Sequence, residues 1–308
     1  MIKMLQCQIY RSRYCHHRSI CALTWPSQGK RKYRRDDHHT VRNTSSHSSK
    51  AWLDRQLKDP YVQKAQDIGV PSRAYFKLQE INEKLFYPAV SKKGKNISYR
   101  QLIKPNMLVL DLGAAPGGWS VYASSQLKHM LGGAVVSVDL HPFNPDVANA
   151  IYDEMDGNFE FIQGDFTKDN IRHKIMNAFA RLSVDIESKH NIEKASDQRK
   201  ANLIISDMAA NFTGDSATDA IRTMNLCEYS LQFAAGEYCF DSSYSSHDDD
   251  GVLMKNGSFL CKYFSCGKEQ ERDLMDAAKR VFRSVHLLKP NASRKESSEM
   301  YLLGFNKK

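Results

Sequence analysis

Apolar positions along this chain gather into short runs, and four of those runs end in or just before an acid. Val109-Leu110 leads to Asp111, and Val135-Val136-Ser137-Val138 leads to Asp139. Phe159-Glu160-Phe161-Ile162 leads through Gln163-Gly164 to Asp165, and Asn202-Leu203-Ile204-Ile205-Ser206 leads to Asp207. Short runs rich in Val, Ile and Phe predict strands, here near 107–111, 134–139, 159–162 and 202–206. Other stretches repeat with helical period. Tyr75, Leu78, Ile81 and Leu85 make one apolar stripe over Ser72–Leu85, and helices are expected near 118–129 and 215–235. A strand at 257–264, a helix at 268–282 and strands at 283–288 and 300–305 follow. Alternating strands and helices predict an α/β fold around a mostly parallel sheet. Open sheets of this kind bind ligands beyond the carboxyl ends of their strands. One acid there can simply cap the next helix; four in register point to a site.

The turn after the first strand carries more detail. Asp111-Leu112-Gly113-Ala114-Ala115-Pro116-Gly117-Gly118-Trp119 passes from a strand through small residues into a helix start. Small residues let a ligand approach the backbone, and Pro116 stiffens the turn. The middle glycine of a G-x-G-x-x-G fingerprint is Ala115, and no Lys-Ser/Thr follows. A nucleoside cofactor fits this turn better than a triphosphate or a dinucleotide.

Six segments together resemble one family. "DLGAAPGGWS", "VDLHP", "QGDF", "SDMAAN", "CKYF" and "SSEMYLLGF" look like the FtsJ (RrmJ) 2′-O-ribose RNA methyltransferases, in family order from about Lys50 to the C-terminus. The resemblance implies a seven-stranded Rossmann-like methyltransferase sheet, mostly parallel with an antiparallel last strand. It also implies S-adenosylmethionine as methyl donor.

Charge changes the picture in one place. The chain of 308 residues has 44 Lys+Arg and 35 Asp+Glu. Residues 1–35 hold nine basic residues and no acid, and beyond them 35 basic residues balance 35 acidic ones. The body is therefore neutral, and any RNA site must come from local clustering. The leader, with Arg, Ser and scattered Ile, Leu and Tyr, reads as a mitochondrial transit peptide, with a basic RNA-binding arm as the alternative. Residues 36–50 read as linker, and 51–308 as the methyltransferase domain. Polar stretches at 88–101, 185–200 and 237–251 read as surface insertions. No apolar run is long enough for a membrane span. The seven cysteines form no C-x-x-C pair, so neither a zinc site nor a disulfide framework is expected.

The chemistry centres on Lys262. It sits in Ser258-Phe259-Leu260-Cys261-Lys262-Tyr263-Phe264, an apolar strand, and buried lysines are rare unless paired. Asp207 ends its strand at the ligand edge. Lys77 lies about 200° from Tyr75 on a helical wheel, off the apolar stripe. Glu299 opens the last strand and is preferred to Glu296, which falls in the preceding loop. The resemblance implies a Lys-Asp-Lys-Glu set at Lys77, Asp207, Lys262 and Glu299. Lys262 would accept the 2′-OH proton, Asp207 would orient it, and Lys77 and Glu299 would hold the ribose. A lysine can act as base if burial or nearby positive charge lowers its pKa. For the cofactor, Asp139 is expected at the ribose hydroxyls, and Asp165 and Phe166 at the adenine. Pro116, Gly117, Gly118 and Trp119 are expected at the methionine end, with Asp207 nearby. Arg73, Lys77, Lys262, Arg294 and Lys295 are expected on one rim. With no aromatic RNA-recognition motif, a structured RNA read by shape and backbone is expected.

These readings converge on an S-adenosylmethionine-dependent 2′-O-methyltransferase of mitochondrial large-subunit ribosomal RNA, acting on a uridine within an assembly particle. A transfer-RNA methyltransferase of the same family is one alternative. An rRNA-binding assembly factor with methylation secondary is another.

Overall fold

The computed structural model describes residues 58–83, 101–104, 106–127, 133–190, 200–236 and 251–308. The expected leader and linker, and nearly all of the expected insertions at 88–101 and 237–251, lie outside the described residues.

Two helices precede the sheet. The first, α1 (Pro60–Ile68), begins at Asp59, whose carboxylate accepts the Tyr61 N–H at 3.0 Å, with Pro in the first turn. Gly69, at φ 74°, ends it. The second, α2 (Ala74–Glu83), carries Lys77. The alternating body follows: β1 (Leu108–Leu112), α3 (Gly118–Leu127), β2 (Ala134–Asp139), α4 (Pro145–Glu154) and β3 (Phe159–Gln163). Next come α5 (Asp169–His190), β4 (Ala201–Ser206), α6 (Ser216–Ala235) and β5 (Leu253–Phe264). The chain ends with α7 (Lys268–Val281), β6 (Phe282–Leu288) and β7 (Glu299–Lys307).

The stretch expected as an insertion at 185–200 is described only in part. Residues 185–190 continue α5 to His190, and only 191–199 lie outside the described residues.

The seven strands form one sheet in the order β3-β2-β1-β4-β5-β7-β6. β7 enters between β5 and β6 and runs antiparallel to both. The expectation of a mostly parallel sheet with an antiparallel last strand therefore holds. β1 is buried along its whole length, as a central strand covered on both faces must be. One face packs against α5, α6 and α7 through residues such as Ile175, Phe179, Leu231 and Leu274. The other packs against α2, α3 and α4 through Leu78, Ile81, Val121 and Ile151. Each fully buried Leu or Ile contributes roughly 1.5–3 kcal/mol over its exposed state.

This topology decides where chemistry can sit. β1, β2 and β4 finish at one edge with Asp111, Asp139 and Asp207. β7 starts at that same edge because it is antiparallel, which places Glu299 opposite Phe264 and Tyr301 opposite Lys262.

Candidate active site

Four charged side chains from four elements meet at this edge. Lys77 Nζ donates to Glu299 Oε2 at 2.8 Å and lies 3.5 Å from each oxygen of Asp207. Lys262 Nζ lies 3.1 Å from Asp207 Oδ1 and also donates to the Asp207 main-chain oxygen. Lys77, Lys262 and Glu299 are buried, at 8%, 6% and 7% exposure. Buried charges are stable only when paired, and here two lysine side chains face two carboxylates. Burial alone would pull the Lys77 pKa down, but Asp207 and Glu299 outweigh it and hold the group above an ordinary lysine. Burial would raise Asp207, but Lys262, Lys77 and the Tyr301 hydroxyl outweigh it and keep its pKa below an ordinary carboxylate. Lys77 and Asp207 are therefore both ionised near neutral pH. The four residues expected from sequence all come together. Glu296 is exposed and lies in the loop before β7, whereas Glu299 joins the cluster.

The structure adds three participants that sequence reasoning missed. Tyr301 is fully buried, and its hydroxyl donates to Asp207 Oδ1 at 2.6 Å and lies 3.2 Å from Glu299 Oε1. Strand alternation could have found it, since Tyr301 lies two residues after Glu299 on the same face. Ser293 donates to Glu299 Oε1 at 2.5 Å. Glu80, on α2, accepts the N–H groups of Asn291 and Ala292 at 2.9 and 3.0 Å. Arg73 grips the same loop by donating to the Ala292 carbonyl, and it also pairs with Asp59. No sequence signal marks Ser293 or Glu80, because their partners come from chain folding alone.

Arg73, Arg294 and Lys295 do share a rim. With Lys58, Tyr61 and Glu296 they line a cleft of about 440 Å³ beside the cluster. The charge there is partly spent internally: Arg294 Nε lies 3.4 Å from Asp59, which Arg73 also holds.

A larger cavity of about 640 Å³ opens on the other side of Asp207, at the ends of β1, β2 and β4. Its wall includes Gly113, Ala115, Asp139, Asp165, Phe166, Asp207 and Met208. Asp139 Oδ2 accepts the Ala115 N–H at 2.9 Å and Oδ1 accepts the His141 N–H at 2.7 Å. These bonds fix the carboxylate, and each oxygen keeps a second lone pair for a ligand hydroxyl. Asp165 Oδ1 accepts both the N–H and the hydroxyl of Thr167, at 3.0 and 2.7 Å. Phe166 reaches the wall but is only 7% exposed, and its ring packs edge-on to Phe233 at 5.5 Å. It serves the core as much as the cavity.

Gly113 and Ala115 of the turn after β1 line this cavity, and the rest of the turn packs against its neighbours. Pro116, Gly117, Gly118 and Trp119 are not among the residues lining this cavity. A Cβ on Gly117, which has φ 111°, would sit 2.7 Å from the Phe143 ring. A Cβ on Gly118 would sit 3.1 Å from the Tyr75 nitrogen. Both glycines let neighbouring segments pack closely. Trp119 is 2% exposed, donates Nε1–H to the Ala74 carbonyl at 2.9 Å, and stacks on Tyr301 at 5.8 Å. Its indole thus ties the start of α2, and so Lys77, to the strand that carries Glu299 and Tyr301. A small-residue turn has the same composition whether a ligand or a neighbouring helix is what comes close.

Beneath the cavity lies Asp111, 1% exposed. Ser120 donates to it at 2.7 Å, and the Ser120 and Ser137 hydroxyls are 2.8 Å apart. Burial, only partly offset by the Ser120 hydrogen bond, raises its pKa to about 7.

A profile of FtsJ-like methyltransferases matches residues 70–307. The chain belongs to this family. It is 38% identical over 264 residues to the ribosomal RNA large subunit methyltransferase E of Rickettsia canadensis, covering 85% of this chain and 90% of that protein. Identity to the Rickettsia akari protein of the same name is 37%, with the same coverage. Among solved structures, a ribosomal RNA methyltransferase from Plasmodium falciparum is similar at 24% identity and TM-score 0.47, covering 77% of this chain and 97% of that one. The FtsJ-like match begins just before Arg73 and ends in β7, so it contains all four residues of the charged cluster.

Proposed function

We propose that this protein methylates the 2′-hydroxyl of a uridine ribose in mitochondrial large-subunit ribosomal RNA, with S-adenosylmethionine as donor. The observation that carries the reading is the buried Lys77–Asp207–Lys262–Glu299 cluster beside a nucleoside-sized cavity. The names of the Rickettsia relatives support the RNA class. The acid-free leader, residues 1–35, supports the compartment and lies outside the described residues.

The cavity suits the cofactor. Asp139, held by two backbone N–H groups, offers acceptors for a pair of ribose hydroxyls, and Asp165 with Phe166 offers a polar and an apolar wall for the adenine. When bound, S-adenosylmethionine supplies a methyl group already activated by a sulfonium. The protein must then align the hydroxyl and provide a place for its proton. Lys77 is committed to two carboxylates and held charged, so it is the wrong group to accept a proton. Lys262 touches Asp207 alone of the two carboxylates and takes the proton at Nζ. Asp207 orients that amine, while Glu299, fixed by Lys77, Ser293 and Tyr301, holds the ribose.

The test is methyl transfer from labelled S-adenosylmethionine to large-subunit rRNA, with the modified ribose mapped. Labelling of transfer RNA in preference to rRNA would favour the other substrate. Calorimetry that showed NAD binding and no response to S-adenosylmethionine would overturn the enzyme class. A reporter fused to residues 1–45 that stayed cytosolic would overturn the compartment. Organelle ribosomes that assembled normally with Lys262→Ala, yet failed without the protein, would make binding the essential role.

A further inference from the structure

Two aromatic rings stand beside the charged cluster and take no part in it. Phe212 lies in the loop after β4, five residues beyond Asp207. At 69% exposure it is the most exposed large apolar side chain among the described residues. Its ring stacks on Phe264, with centroids 6.0 Å apart and planes 28° from parallel. Phe264 ends β5, two residues beyond Lys262, and pairs in register with Glu299. Side chains two apart on a strand share a face and stand about 7 Å apart. The ring pair therefore sits on the same face and at the same edge as Lys262 and Glu299. Phe166, by contrast, is tucked against Phe233. The loop holds Phe212 out in water, at the mouth of the site.

We propose that Phe212, backed by Phe264, is a stacking platform for an unpaired base of the RNA substrate, next to the ribose that reaches Lys262. The inference rests on the 2′-O-methylation reading above. A ribose that approaches groups only 6–8% exposed must leave a regular helix, so bases beside it lose their stacking partners. An aromatic ring replaces that lost stacking, and it accepts any base because every base has a flat apolar face. Phenylalanine has no hydrogen-bonding group, so the platform holds a base without naming it. On the opposite side of the cluster, Arg73, Arg294 and Lys295 line the basic cleft. Basic groups suit phosphates. The RNA strand thus crosses the sheet edge from the cleft, past Lys262, to Phe212.

Two experiments decide it. Phe212→Trp places a fluorophore on the platform of the full-length protein. A single-stranded uridine decamer should quench the added indole signal relative to wild type, and a duplex RNA of equal length should not. Equal quenching by both RNAs, or a signal that follows protein concentration without RNA, overturns the platform. Phe212→Ala should raise KM for rRNA about tenfold, the scale of one base–aromatic stack. Its kcat should stay within about threefold of wild type, as expected when uniform binding is lost. Affinity for S-adenosylmethionine should not change, and Phe212→Tyr should restore KM. An unchanged KM on rRNA that the wild type methylates overturns the platform alone. A wild-type protein that methylates no RNA overturns the functional reading instead, and the tryptophan titration then still decides the platform.

Discussion

The two halves of the strand edge are built on opposite plans. On the β5–β7 side, Lys77, Asp207, Lys262 and Glu299 satisfy one another, and Tyr301 and Ser293 fill further acceptor positions. On the β1–β2 side, Asp139 and Asp165 are held by backbone N–H groups of the turns around them and face an open cavity. The first arrangement is preorganised: charges are fixed before any ligand arrives, so little reorganisation is needed during reaction. The second is receptive: its acids are positioned locally and keep capacity for a ligand. Asp207 belongs to both, since it pairs with the lysines and also lines the cavity. It is the hinge of the chemistry, where methyl donor and hydroxyl must meet.

The largest expected effect lies on the preorganised side. Lys262→Ala should lower methyl transfer by at least about a hundredfold, the scale for losing a general base. Folding and cofactor affinity should be nearly intact, because Asp207 keeps Lys77 and Tyr301. Lys262→Arg should fail as well, since guanidinium does not release its proton near neutral pH. Single-turnover kinetics measure both. Comparable transfer by the Arg variant would leave Lys262 only a positioning role.

On the receptive side, Asp139→Ala should act on binding. Leaving a ribose hydroxyl pair without its acceptor once the ligand buries it costs about 1–3 kcal/mol, or roughly 5- to 150-fold in Kd for S-adenosylmethionine. Calorimetry reads it directly. The rate at saturating cofactor should fall much less than for Lys262→Ala. If kcat collapsed while Kd held, the division between the two sides would be wrong.

The two plans also differ in how far sequence reveals them. The receptive acids stand at the ends of apolar runs, so periodicity alone located Asp139 and Asp165. The strands and several of the helices were legible for the same reason, though α4 and α5 were not anticipated and the order of strands in the sheet was not read from these runs. The cluster was only partly legible. Lys262 was conspicuous as a charge in an apolar strand, but its partners come from residues 77, 207 and 299, and the family motifs were needed to join them. Nothing in the sequence sets Tyr301 apart from other strand aromatics, or Ser293 and Glu80 from other polar residues. The glycine turn was legible as a turn, but its packing role was not. "AAPGGW" has the composition of a ligand loop, yet Gly117, Gly118 and Trp119 make room for α2, α4 and Tyr301.

Asp111 tests whether the receptive side is strained before ligand binds. Its folded pKa of about 7 lies above its ordinary 3.8. The folded state therefore binds the proton more tightly than the unfolded chain. Stability should be unaffected below about pH 4 and should fall as pH rises toward 7, by at most about 1.4 kcal/mol per pH unit. Asp111→Asn keeps an acceptor for Ser120 and removes the charge, so it should flatten this slope. Denaturant melts at pH 5 and pH 8 check it. Equal slopes in both proteins would mean that Asp111 does not titrate in this window.

The smallest effect belongs to Ser293, and it sharpens the contrast most finely. Its hydroxyl is one of three donors on Glu299, with Lys77 on the other oxygen and Tyr301 more distant at 3.2 Å. Ser293→Ala removes one bond to a charged acceptor while two donors remain. The full cost of such a bond is about 1.5–3 kcal/mol, and the remaining partners should hold the loss near its lower end. Methyl transfer should therefore fall about tenfold, with cofactor affinity unchanged. Ser293→Thr, which retains the hydroxyl, should recover most of the rate. Glu80→Gln probes the same loop one step earlier, since it weakens the grip on Asn291 and Ala292 without touching Glu299. If Ser293→Ala left the rate untouched while Glu80→Gln lowered it, the loop would act through its backbone path and the Ser293 bond would be incidental. If both lowered the rate and the double variant lost no more than the worse single one, the two residues would share one task, which is to hold Glu299 against the ribose.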